Sequence, residues 1–387
     1  MEFEFYTPTK VIFGRDSENR VGEIVSSYGY SRVLLVYGGG SVKKSGLYDR
    51  VCASLSASGI SFSELSGVKP NPLLSHAKRG MELARADGAE LILALGGGSV
   101  IDTAKEIAIG ALDDGEHWDF YSGKRTPEKS LPVGVILTIS AAGSEMSSSA
   151  VLTNDENGSK RGYNTPLHRP LFAICNPELT YTVDRYQTAC GIVDILMHTL
   201  ERYFAPVPDT PVTDALALAL CREVVLAGRI AYENPFDYTA RASLMWASSV
   251  SHNDLTGVGR FFAGTCHRLE HEMSAKYDVA HGAGLAVVFP AFAKYVYRLA
   301  PERFARFARE VFGVSKTNDL AAAEEGIEIV SRFFRSIGMP LTMSEIGIPD
   351  PDIVDMARRC SRDKTITLRS YIEIGYDEML DIYRLTL

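Results

Sequence analysis

Five side chains able to bind a metal recur at helical spacing in the second half of the chain. In CHRLEHEMSAKYDVAHG (266–282), His267 and His271 lie four residues apart, and His281 follows after a short break at 277–280. In GIVDILMHTLERYF (191–204), Asp194 and His198 repeat the four-residue step. Residues four apart on an α-helix project from one face, about one turn from each other. One carboxylate with two or three imidazoles is a borderline N/O ligand set suited to Fe²⁺ or Zn²⁺. Ile192, Val193, Ile195, Leu196 and Met197 surround the first pair, so its helix is largely buried. A carboxylate buried there needs a partner or a cation. Taken singly, a histidine in such a helix is more often a hydrogen-bonded core residue; the repeated spacing in two segments tips the balance toward a metal. Spacing alone leaves open which of His267, His271 and His281 stays off the ion.

A second chemistry sits in the first half. In ALGGGSVIDTAK (94–105) three glycines follow an apolar run and precede a helical stretch. Such a turn lets the backbone approach a phosphate, and the helix start offers free N–H groups and a positive dipole end. It is neither GxGxxG nor a P-loop. SAAGSE (140–145) follows VGVILT in the same way, and two such loops place a ligand crevice at the carboxyl edge of a sheet. A third loop, VYGGGSVKKSG (36–46), ends the strand that in dinucleotide folds holds an acid against the adenosine ribose. Here that position offers Gly38, Gly39, Gly40 and Ser41, with Lys43 and Lys44 beyond. The absence of a carboxylate favours NADP(H) over NAD(H); the lysines also fit a solvated helix start.

The elements that position these residues change character once. Up to about residue 180, apolar runs RVLLVY (32–37), SFSEL (61–65), LILALGGG (91–98) and VGVILT (133–138) alternate with helical stretches at 47–55, 77–86 and 101–109. That rhythm is βαβ and predicts a parallel sheet covered on both faces. A hairpin turning at Asn157-Gly158 is expected to edge the sheet, with LFAIC (171–175) as its last strand. From Asp184 onward apolar residues recur at three and four, which predicts a helical bundle. The expected organisation is a Rossmann-like α/β domain over 1–182 and an all-α domain over 183–387, with the active site in the cleft between them.

Composition excludes several partners. Of 387 residues 46% are apolar and 23% charged, with a net charge of −8 and no long basic run, which disfavours nucleic acid and anionic membrane. The acidic start MEFEFYTPTK and the lack of an apolar run near ~20 residues argue against a signal peptide or membrane span, so the cytoplasm is expected. Six scattered cysteines without CxxC suit reduced, buried thiols, and Cys266 is read as core rather than as a soft ligand. His76, His117, His168 and His252 default to surface or capping roles, the last two with some claim to line a cleft. Trp246, Phe261 and Phe262 read first as core and second as pocket wall.

As a set, GGGSVIDTAK, AGSE, DILMH with ERYF, and HxxxH followed by HG resemble the iron-dependent (group III) alcohol dehydrogenases, in their butanol dehydrogenase and NADPH-dependent aldehyde reductase branch. The resemblance runs from TPTKVIFG to at least residue 290. It implies metal ligands at Asp194, His198, His267 and His281, with His271 near the substrate. It implies pyrophosphate on Gly97, Gly98 and Ser99 with Asp102 nearby, and base contacts on Thr138, Ser144 and Lys160. It also implies a homodimer, and the YGGGS loop, with Gly38, Gly39 and Ser41, matches NADP-preferring members. The chain departs from the common family pattern at Val100, where many members carry proline, and at Ala142, where a threonine hydroxyl is lost.

The reaction implied is hydride exchange between a nicotinamide and a short- to medium-chain aldehyde or alcohol at a divalent metal. His271 is the candidate proton donor, since an ordinary imidazole titrates near pH ~6.5. The rivals are a glycerol dehydrogenase or dehydroquinate synthase of the same fold, and a metal- or nucleotide-binding sensor without turnover. The paired Asp194 and His198, and the lack of basic residues nearby to grip a phosphorylated substrate, speak against the lyase.

Overall fold

The computed structural model describes residues 2–207 and 210–387. It consists of two compact units, Tyr6–Val183 and a second made of residues 2–5 with Asp184–Leu387, so the first residues of the chain do not belong to the unit expected over 1–182. The first contains strands β1 (Lys10–Phe13), β2 (Arg32–Tyr37), β3 (Ser61–Leu65), β4 (Leu91–Gly96), β5 (Val133–Leu137), β6 (Ser149–Asn154), β7 (Ser159–Asn164) and β8 (Phe172–Cys175). Between them lie helices α1 (Val21–Ser27), α2 (Ser41–Lys44), α3 (Leu47–Ala57), α4 (Leu74–Ala86), α5 (Gly98–Gly110) and α6 (Trp118–Ser122).

Six strands form one parallel sheet in the order β1-β8-β5-β4-β2-β3. β4 and β5 are buried along their whole length, as continuous apolar runs in a covered parallel sheet must be. On one face Val33, Leu35, Leu93, Leu95, Ile136 and Ile174 pack with Ile24, Val51 and Leu55 of the helices. The alternation along β2 and β4 is the period-two signature of a pleat. β2, β4 and β5 end side by side at Gly38, Gly97 and Thr138, so the three loops read from sequence share one edge of the sheet.

One expectation changes. The hairpin β6–β7 does not edge the main sheet but forms its own two-stranded sheet. It is pinned elsewhere: Val151 N–H donates to Asp102 Oδ2 at 3.0 Å, and Thr153 N–H donates to the Pro72 carbonyl at 2.8 Å. β8 is the last strand of this sheet in chain order, as expected, and β1 pairs with its outer side, Lys10 opposite Phe172. β1 has four residues with no fully buried position, too weak an apolar signal to stand out.

The second unit packs α7 (Arg185–Tyr203), α8 (Pro211–Glu233), α9 (Tyr238–His252), α10 (Thr265–Tyr277), α11 (His281–Val296), α12 (Pro301–Phe312), α13 (Asp319–Ser336), α14 (Ile353–Cys360) and α15 (Tyr376–Arg384). A short antiparallel pair, Leu368–Arg369 with Glu373–Ile374, is its departure from an all-helical fold. Helix α7 starts at Asp184, whose carboxylate accepts from Gln187 N–H at 2.7 Å. It is buried continuously from Thr188 to Tyr203, among Leu269, Met273, Leu285 and Val287 of α10 and α11. The left-handed turn at Asp278 stops α10 and lets α11 begin at His281, bringing both histidine segments onto α7. Among the described residues no helix is long and apolar enough to cross a membrane.

Candidate functional site

In the helical unit, three of the expected ligands converge. The Asp194 Oδ1 atom lies 3.7 Å from His267 Nε2 and 3.8 Å from His281 Nε2. The ligand atoms of these three residues all fall within 4.8 Å of one another. His198 stands beside them, its Nδ1 3.0 Å from Asp194 Oδ1 and its ring centroid 4.5 Å from that of His267. Its Nδ1 also reaches the Asp194 carbonyl at 3.0 Å, which leaves Nε2 as the lone-pair nitrogen.

Two carboxylates that the sequence reading passed over orient the rings. Glu201, on α7, accepts a hydrogen bond from His267 Nδ1–H, and Glu270, on α10, accepts one from His281 Nδ1–H. Each bond turns an Nε2 lone pair toward Asp194, the usual arrangement behind metal-bound imidazoles. Glu201 also receives the Cys266 N–H, and Glu270 the Ser274 hydroxyl. Their signal was present in the sequence: Glu201 is seven residues after Asp194, and both glutamates sit three residues after a histidine, so they share its helical face.

Asp194 Oδ1 and His267 Nε2 are both buried and have no hydrogen-bond partner, a costly arrangement for a core atom. A divalent cation between them removes the cost, so the donor set fits such an ion. Burial alone would raise the Asp194 carboxyl, but the close imidazoles of His198, His267 and His281 hold it well below the usual carboxylate range. Burial pushes His198 down to about 4. Burial also works against protonated His267, yet Glu201 and Asp194 carry it up to about 9, so an arriving cation displaces a proton there. Glu270, His271 and His281 form a second possible group. In it both Glu270 oxygens are already engaged, whereas the first group has idle atoms.

His271 lies at the more open side, its ring centroid 5.6 Å from that of His281 and 6.5 Å from that of His267. His252, given a capping role by default, joins the cluster edge-on to His198 at 4.0 Å, and Phe262 lies 5.2 Å from His267. Trp246 is 47% exposed and is neither core nor wall of this cluster.

In the α/β unit, Gly97 and Gly98 lead β4 into α5, a helix whose start has no side-chain cap. Its first N–H groups therefore fit an anion. Gly97 is required for a packing reason as well: a Cβ there would meet Ile139 Cγ2 at 2.2 Å. Ser99 follows in the first turn, and Thr138 caps β5 with its N–H on the Gly96 carbonyl at 3.1 Å. Asp102 and Ser144 are placed differently from simple cofactor contacts. The Ser144 hydroxyl donates to Asp102 Oδ1 at 2.6 Å, and buried Lys105 donates to Ser144 Oγ at 2.8 Å and to the Ser149 carbonyl at 2.7 Å. They fasten the SAAGSE loop to α5. Lys160, on β7, donates to Asn71 Oδ1 at 2.9 Å. Gly38 is partly buried beside Val68, while Gly39 and Ser41 are open.

Residues 8–177 match the family model for iron-containing alcohol dehydrogenase, and residues 188–387 match its C-terminal domain. The chain belongs to the iron-containing alcohol dehydrogenase family. It is 41% identical over 386 residues to NADH-dependent butanol dehydrogenase A of Clostridium acetobutylicum, covering 99% of both chains. It is 30% identical to the NADPH-dependent aldehyde reductase YqhD of Escherichia coli, covering 98% of both. The crystal structure of NADH-dependent butanol dehydrogenase A from Thermotoga maritima superposes with a TM-score of 0.96 at 39% identity, over 100% of this chain and 98% of that one. As a member of the family the chain is an NAD(P)-dependent, metal-dependent alcohol dehydrogenase. The sequence resemblance and the α/β-then-helical architecture are thereby borne out.

Proposed function

We propose that the chain reduces short- and medium-chain aldehydes of the butanal type to alcohols with NAD(P)H, using one divalent ion held by Asp194, His198, His267 and His281. The observation that carries this reading is the pair of buried, partnerless ligand atoms, Asp194 Oδ1 and His267 Nε2. The butanol class rests on what the relatives are named for, and iron is the first choice of metal on the family's name, with Zn²⁺ compatible with the same donors.

When bound, the ion supplies Lewis acidity to a carbonyl oxygen and the reduced nicotinamide supplies hydride. The chain's own residues do the rest. Glu201 and Glu270 hold the His267 and His281 rings with Nε2 inward. Phe262 lays an apolar face against His198 and His267, limiting water at that side. His271 gives the product oxygen its proton. Gly97, Gly98 and Ser99 take the pyrophosphate and Thr138 lies next to the base, while Asp102 and Ser144 act by fixing the loop. Lys160 contributes through the Asn71 segment.

For the ribose, the Gly38–Ser41 loop favours NADP(H) by carrying no carboxylate. The relatives named for NADH pull the other way, so both forms are expected to bind. The proposed domains are 1–182 and 183–387, and the proposed state is a cytoplasmic homodimer, which sedimentation would check. The test is to load the protein with Fe²⁺ without air, add NADPH and butanal, and follow the reduced nicotinamide's absorbance. Metal-dependent oxidation of NADPH is expected. Tight binding of metal and NADPH without turnover would replace this reading with that of a sensor.

A further inference from the structure

The loop that would meet the adenosine ribose lacks an acid of its own, but the neighbouring strand supplies one. Glu64 of β3 sits in register with Leu35 of β2. Both its oxygens are taken: the Tyr37 hydroxyl donates to one at 2.6 Å and the Tyr48 hydroxyl to the other at 2.5 Å. Tyr37 is the residue immediately before Gly38, so this carboxylate is fixed where the glycine loop begins. Above the same two rings lies a cation. The Lys43 Nζ is 4.5 Å from the Tyr48 ring centroid and 5.2 Å from that of Tyr37. The Gly38 carbonyl accepts from Gly67 N–H at 2.9 Å, which ties the loop to the segment leaving β3. Around Gly39 there is open space, with nothing within 4 Å of where a Cβ would stand.

We propose that Glu64 and Lys43 are an opposed pair of specificity-determining charges, Lys43 favouring a 2′-phosphate on the dinucleotide and Glu64 disfavouring it. This rests on the reading of Gly38–Ser41 as the ribose loop. A 2′-hydroxyl is neutral and responds little to either charge, whereas a phosphate dianion responds to both. Because two phenols hold the Glu64 carboxylate, it cannot swing away from an approaching phosphate. Both side chains are largely exposed, so each effect is modest: a unit charge several ångströms away through water changes affinity by roughly threefold.

The test is direct binding of NADPH and of NADH, read by nicotinamide fluorescence, to the wild type, Glu64→Gln, Lys43→Met and Gly39→Asp. Glu64→Gln keeps a hydrogen-bonding group for each phenol and removes only the charge. It is expected to tighten NADPH by roughly threefold and leave NADH nearly unchanged, with the gain shrinking at high salt. Lys43→Met is expected to weaken NADPH by a similar factor. If Gly39→Asp lowers the NADPH-to-NADH preference while the other two variants leave it unchanged, the inference is wrong and the ribose reading survives. If Gly39→Asp also leaves it unchanged, the ribose lies elsewhere and both fail.

Discussion

At the scale of single residues, the proposed metal site is defined by what its atoms lack. Asp194 Oδ1 and His267 Nε2 are buried without partners, while His267 Nδ1 and His281 Nδ1 are each bound to a glutamate. His267→Ala is therefore expected to lose the metal, and His271→Ala to keep it while turning over more slowly; elemental analysis beside a rate measurement separates them, and equal metal loss would overturn the assignment. Glu201→Gln retains an acceptor for His267 but not the charge. It should weaken metal affinity by about 10–100-fold in a chelator competition. The ligand types and their four-residue spacing were legible in the sequence. The choice among three histidines was not, because it depends on where α11 restarts after the left-handed turn at Asp278. Glu201 could have been found by extending the same helical spacing by one more turn, and Glu270 by the three-residue step from His267.

At the scale of elements, α5 carries the proposed dinucleotide site. Two of its consecutive residues, Lys105 and Glu106, are fully buried, and burial pushes Lys105 down to about 8 and Glu106 up to about 8. A carboxyl raised from an ordinary value near 4.5 to about 8 is protonated in the fold and ionised in the unfolded chain across that interval. Stability contributed by Glu106 is thus lost as pH rises from about 4.5 toward 8. Glu106→Gln should remove that loss, so its melting temperature relative to wild type should climb between those limits; a constant difference would contradict the assignment. Gly97→Ala tests the turn before the helix. With Ile139 in the way, it should destabilise the unit by ~1–3 kcal/mol in denaturant unfolding and weaken both dinucleotides alike. The apolar runs of β2, β4 and β5 made the sheet readable. The hairpin's seat was not, since it is fixed by Asp102 and Pro72, contacts that strand periodicity does not encode.

For the whole molecule, a metal that binds only the folded chain must stabilise it. Fe²⁺ or Zn²⁺ at a hundred times its dissociation constant should add ~2.7 kcal/mol, raise the melting temperature, and lose the effect on chelation. Asp194→Asn should abolish the rise. The net charge of −8 adds that the protein should pass through a polyanion column unretained at low salt, checked by its elution. The change from βαβ rhythm to helical periodicity near residue 180 was visible because each architecture imposes its own apolar period. The Glu64–Lys43 arrangement was not, because it joins helix α2 to strand β3, a contact that local periodicity does not encode. The most direct test of the account is anomalous diffraction at the iron edge from crystals grown with Fe²⁺ in the absence of air. One strong peak about 2.1 Å from an Asp194 oxygen and from the Nε2 atoms of His198, His267 and His281 is predicted. A peak centred instead on Glu270, His271 and His281, or none near Asp194, would contradict it.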